Sequence, residues 1–237
     1  MKEKQELGPI ELPLDRFFSI IAGLFWAVFL VSIFFKSCFQ DQDPIIKLCV
    51  LDGLLNIMAM ALLFWFYHSQ KWPSISPLKM HPLDCLVAGI MGVLQLFPLS
   101  CMTSILWQKL LSSLQYMLNI DCVEQPLLVL LRSQLTHEGQ FLGIILLVVI
   151  LAPIAEEIFF RYFLYRSWKA YMSPRRAMLG VAFIFALLHF NLAAFVPLFV
   201  MGIFLTLLYE RCGNLVPCVL VHGVFNYVSI LLVVLFS

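Results

Sequence analysis

Long apolar runs alternate along the chain with short polar breaks, and the runs have the length that crosses a bilayer. About 20 apolar residues cover ~30 Å of hydrocarbon. Such runs occupy residues 17–35, 48–67, 83–107, 141–160, 177–189, 193–209 and 215–236. They predict an all-α polytopic membrane protein of about seven transmembrane helices around an intramembrane polar cavity. The fifth and sixth runs are short, which leaves six to eight spans open. Between the third and fourth runs, "SILWQKLLSSLQYMLNI" is apolar at helical spacing with one basic residue, the pattern of an amphipathic helix lying in the interface. Pro98 predicts a kink in the third span. Asp52 and Asn56, one turn apart in the second span, read as a pair that hydrogen-bonds helix to helix. No internal repeat is visible. The reading is one transmembrane domain over residues 1–237, with N-terminal spans and the interfacial helix in 1–140 and a four-span core in 141–237.

Composition sharpens this picture. The chain is 62% hydrophobic and 12% charged, with a mean hydropathy of +0.95. A soluble domain is nearer half apolar and a quarter charged, so a soluble globule is excluded. The net charge of +1 argues against a nucleic-acid partner. The N-terminal stretch mixes both charge signs and no small-residue cleavage site follows, so no secretory leader is expected. With seven spans, eleven Lys and Arg fall on the N-terminal side: Lys2, Lys4, Arg16, Lys71, Lys79, Arg161, Arg166, Lys169, Arg175, Arg176 and Arg211. Four fall on the other side (Lys36, Lys47, Lys109 and Arg132), so the positive-inside rule puts the N-terminus in the cytoplasm. The seven cysteines form no C-x-x-C pair and read as small buried hydrophobes.

The chemistry lies in a few polar residues inside the last four runs: Glu156, Glu157, Arg161, His189, His222 and Asn226. Ionisable groups within a membrane face cavities and mark function. The fourth and fifth runs form a hairpin turning near residues 171–174. Glu156 and His189 are equally far from its centre, ~25 Å at ~1.5 Å per residue. Measured from the inner boundary, Glu156, His189, His222 and Asn226 lie ~10–18 Å deep, so polar groups from three helices share one layer. Each also has a plainer reading. Glu157 and Arg161 are spaced for an intrahelical ion pair. Glu156 points about 100° away from Glu157 and does not share that pairing; it would otherwise be a protonated, hydrogen-bonded carboxyl. His189 could cap the fifth span, and His222 with Asn226 could bond neighbouring helices. Phe185, one turn before His189, reads as a wall beneath it.

The set restricts the chemistry. No G-x-S-x-G, H-E-x-x-H or phosphate loop is present. One Glu, two His and an Asn suit a water activated by a carboxylate, with or without a metal, that attacks a carbonyl. An Asn amide can donate to the developing oxyanion, and two His with one Glu are a known zinc-ligand set.

These residues carry a resemblance. "EEIFFR" (Glu156 to Arg161) fits E-E-x-x-x-R, "FALLH" fits F-x-x-x-H and "HGVFN" fits H-x-x-x-N, in the order and spacing of the CAAX protease and bacteriocin-processing family of intramembrane endopeptidases. "FVMGIFLTLLYERCGNLVPCVLVH" is similar to that family's connecting span. The resemblance covers roughly residues 145–230, and eukaryotic members cut the C-terminal tripeptide from prenylated CAAX proteins. It implies that Glu156 activates water, with Glu157 and Arg161 as supporting pair. His189 and His222 would bind a metal or polarise the water, and Asn226 would hold the oxyanion. Glu156, His189 and His222 are then the ligands of a divalent metal, zinc first, if the site is not metal-free. The partners implied are a peptide or membrane-protein substrate and the lipid bilayer. Tyr162 departs from the pattern, since a small residue usually follows the Arg, and its ring is expected to narrow the cavity. The short chain and small loops resemble prokaryotic members, which implies a bacterial cell membrane and leaves prenylated substrates unassigned.

Two other readings stand beside the endopeptidase. One is a non-enzymatic protein on the same fold, giving immunity to a membrane-active peptide or scaffolding a sensor. The other is a proton-coupled transporter, since buried Glu and His build proton relays; the paired Gly/Pro-interrupted repeat of transporters is not seen.

Overall fold

The computed structural model describes residues 80–118, 143, 145–189 and 191–235. The first two expected spans, with Asp52 and Asn56, fall outside these residues. Every regular element among the described residues is a helix, as the hydropathy pattern predicts.

Helix α1 covers Pro82–Leu118. It takes in the expected third span and residues 104–118 of the stretch expected to lie in the interface, which continue the same 37-residue helix without a break. At 1.5 Å per residue α1 is ~55 Å long, well beyond the hydrocarbon core. The sequence offers no break after Pro98, which α1 itself accommodates. The Ser and Thr side chains return to the backbone within the helix: Thr103 Oγ1 donates to the Leu99 and Ser100 carbonyls, and Ser112 and Ser113 donate to that of Lys109.

Helix α2 spans residues 146–169 in four stretches: π-helical Leu146–Leu151, α-helical Ala152–Glu157, π-helical Ile158–Tyr165 and α-helical Arg166–Lys169. It runs nine residues past the expected end of the fourth span. The Ala152 N–H donates to the Leu147 carbonyl, five residues back. Such wide turns occur often at functional sites, and here they flank the turn that carries the two glutamates. Residues 170–173 form the expected hairpin. Pro174 then opens α3 (Pro174–Leu187), where a missing N–H costs nothing. Helix α4 is Phe195–Cys212 and α5 is Val216–Leu235. Between them Gly213 takes φ 65°, a conformation that favours glycine, and its N–H caps the Tyr209 carbonyl.

By length and composition α1 and α4 are apolar enough to cross a membrane. With 14 residues, α3 reaches only ~21 Å and stops short of a full crossing. The helices enclose a core that includes Leu96, Phe160, Phe163, Phe185, Met201, Leu205 and Val221. At one end Asn214 joins α1 to the α4–α5 turn, its Nδ2 on Cys85 Sγ (3.7 Å) and its Oδ1 on the Val216 N–H (2.9 Å). At the same end Lys169 pairs with Glu210 at 2.6 Å, tying α2 to α4. Cys85 and Cys218 are buried as expected, whereas Cys101 is exposed on α1.

Candidate active site

The two adjacent glutamates of α2 lie in different surroundings. The Glu157 side chain is 0% exposed and that of Glu156 is 26% exposed. Glu157 Oε1 accepts from Arg161 Nη1 at 2.9 Å, one turn on, which is the pair that the spacing predicts. The same oxygen also meets His222 Nδ1 of α5 at 2.8 Å. A carboxylate in an ion pair only accepts hydrogen bonds, so Nδ1 carries a proton; in the singly protonated ring Nε2 is then an acceptor. Nε2 faces Glu156, whose Oε2 lies 3.7 Å away. Glu156 Oε2 is buried and makes no hydrogen bond. His222 thus stands between the two carboxylates, held by one and turned towards the other.

Arg161 is fully buried. Its charge is met by Glu157, by the Gly202 carbonyl at 3.4 Å and by the face of Phe185, 4.9 Å from its guanidinium carbon. Gly202 also lets α4 pack closely on α3, because a Cβ there would lie 2.9 Å from the Ala182 Cα of α3. The Gly202 carbonyl also accepts from Thr206 Oγ1 at 2.8 Å. Phe185 packs against both histidine rings, 4.7 Å from that of His189 and 5.8 Å from that of His222. It is the wall that the sequence suggests.

His189 lies two residues past the end of α3, and its Nδ1 lies 2.7 Å from the Phe185 carbonyl of the last turn, the capping contact that is its plainer reading. Asn226, one turn beyond His222, donates from Nδ2 to the Val148 carbonyl at 2.9 Å, in the first π-helical stretch. Next to His222, Gly223 lets α5 come close to α2: a Cβ there would sit 2.5 Å from the Val149 carbonyl oxygen. Its contribution was missed in the sequence, although a glycine inside an apolar helix signals a close approach. The Tyr162 ring is buried in the core with the Arg166 guanidinium stacked over it at 5.0 Å.

Glu156 Oε2 and His222 Nε2 are donors of the kinds that zinc takes. Among the described residues, however, no three or more His, Cys, Asp or Glu side chains are gathered so that they could hold one ion. As placed, the set does not fit a three-ligand zinc site.

All three motifs lie within residues 138–228, which match the family model described as Type II CAAX prenyl endopeptidase, Rce1-like. This segment, rather less than half of the chain, is similar to the Rce1-like family. The described family is one of CAAX-type peptidases, and the matched segment carries α4, a helix long and apolar enough to cross a membrane. Helix α1 lies outside the match. No curated protein and no solved structure matches the chain.

Proposed function

We propose that the chain is an intramembrane endopeptidase in which Glu156 activates a water molecule. One observation carries this reading: His222 is fixed by Glu157 through Nδ1 and turns Nε2 to Glu156 Oε2 across 3.7 Å. One water at ~2.8 Å from each atom bridges that gap. Both atoms accept, so the water gives a hydrogen to each and keeps a lone pair free for attack. As its oxygen bonds to the scissile carbonyl carbon, one proton passes to Glu156. Oxyanion stabilisation falls to the second N–H of Asn226, and to His189 in its doubly protonated form, with Nδ1–H on the Phe185 carbonyl and Nε2–H left to donate. Collapse breaks the C–N bond, and Glu156 returns its proton to the leaving amine. Arg161 pairs with Glu157, and Glu157 holds the Nδ1–H of His222, which fixes the tautomer the step requires. No step passes through a metal.

The substrate is a peptide or protein held at the membrane, and cleavage falls in the cytoplasmic half of a bacterial cell membrane with the chain's N-terminus inside. The test uses purified full-length protein and quenched fluorescent peptides ending in Cys-aliphatic-aliphatic-X, with and without a prenyl group on the Cys. Cleavage by the wild type and its loss in Glu156→Gln are expected. A Glu156→Gln protein that cleaves as well as the wild type sinks the mechanism.

A further inference from the structure

We infer that Trp107, on α1 and outside the family-matched segment, is a positioning residue for His189. The inference rests on the reading of His189 as a group that works beside Glu156. Between the short α3 and α4, residues 188–189 and 191–194 are turn or irregular backbone. Since α3 reaches only ~21 Å, this connection lies at membrane depth, where each backbone polar group must find a partner inside the protein. At its two ends it is tied to the helices by Leu188 N–H to the Ile184 carbonyl at 3.0 Å and Leu198 N–H to the Ala194 carbonyl at 2.9 Å. The bonds between them are longer: His189 N–H to the Ala186 carbonyl at 3.4 Å, Phe195 N–H to the Leu192 carbonyl at 3.3 Å, and Ala194 N–H to Asn191 at 3.2 Å. A bond from another element is shorter. Trp107 Nε1 donates to the Leu192 carbonyl at 2.8 Å, three residues after His189. Helix α1 is anchored at its other end by Cys85 on Asn214, and Gly92 lets it lie close against Val221, beside His222. The same helix therefore packs beside His222 and holds the loop that carries His189. Phe185 gives His189 a wall to rest on; Trp107 holds the chain that leads away from it.

The indole N–H is the part that matters. Trp107→Phe keeps a ring and loses the donor, while Trp107→Leu loses both. The full chain in lipid nanodiscs is treated with diethylpyrocarbonate, and modification of His189 is read by mass spectrometry against buried His222. Cleavage of the best peptide of the panel gives kcat and KM. Loss of one hydrogen bond should lower kcat about three- to tenfold, with KM within about twofold of wild type. His189 should be modified severalfold faster in both variants, with His222 unchanged. A Trp107→Phe protein that matches wild type in either His189 modification or kcat overturns the inference. The modification is measured without substrate, so it judges the tether separately from the mechanism, which stands or falls on Glu156→Gln.

Discussion

Arg161→Met tests the buried charge arrangement most directly. In the folded protein Arg161 and Glu157 are both fully buried and 2.9 Å apart. Met has a similar volume and removes the cation, so the carboxylate keeps only the His222 Nδ1–H as partner. Removing one member of a buried ion pair costs about 3–5 kcal/mol, because the other charge stays behind without compensation. For a chain of this size each kcal/mol moves the melting point by about 2–4 °C. The expected loss is therefore about 6–20 °C. Cys218 gives the readout, since it is fully buried and its Sγ–H rests on the Leu205 carbonyl at 3.4 Å. Its labelling by a maleimide, followed by mass spectrometry over a temperature ramp, should begin well below the wild-type temperature. The double variant Glu157→Gln/Arg161→Met removes both charges and should recover much of the loss. Wild-type labelling in Arg161→Met, or a double variant no more stable than the single one, would refute the argument.

Other outcomes follow from the same geometry. Glu156→Gln should lower kcat by about 10²–10⁴ as a lost general base, yet leave the melting point close to wild type, because this carboxylate makes no hydrogen bond through Oε2. Gly202→Ala sets a methyl 2.9 Å from the Ala182 backbone. It should cost about 1–3 kcal/mol as overpacking, seen as earlier Cys218 labelling. Peptide cleavage should continue in 1,10-phenanthroline, with no stoichiometric metal in the purified protein; full loss on chelation and recovery with zinc would reverse that expectation.

Much of the site was legible because its parts are local. The Glu157–Arg161 pair sits at the spacing where side chains on one helix meet. The hairpin at 170–173 and the turn at Gly213 are marked by Pro174 and by Gly213 itself. The separation of the two glutamates also follows from helix rotation, and their different exposures agree with it. The end of α3 was less legible: His189 reads as part of the apolar run but lies beyond the helix. That residues 104–118 continue α1 without a break was not legible either. A run apolar at helical spacing fits a helix at the surface of the bilayer and one that continues a span, and only neighbouring elements separate the two.

By itself the sequence determined that this is a helical membrane protein and that a glutamate pair, two histidines and an asparagine are its exceptional residues. Those conclusions need only composition and the 3.6-residue period. The tertiary structure alone decided that Glu157 holds His222 as well as Arg161, that Asn226 bonds the Val148 carbonyl, and that Trp107 reaches the loop of His189. Each of these contacts joins segments far apart in the chain, apart from the bond to Arg161. Their geometry depends on how closely Gly202 and Gly223 let the backbones approach and on the wide turns of α2. Neither is encoded in the spacing of residues along a single helix.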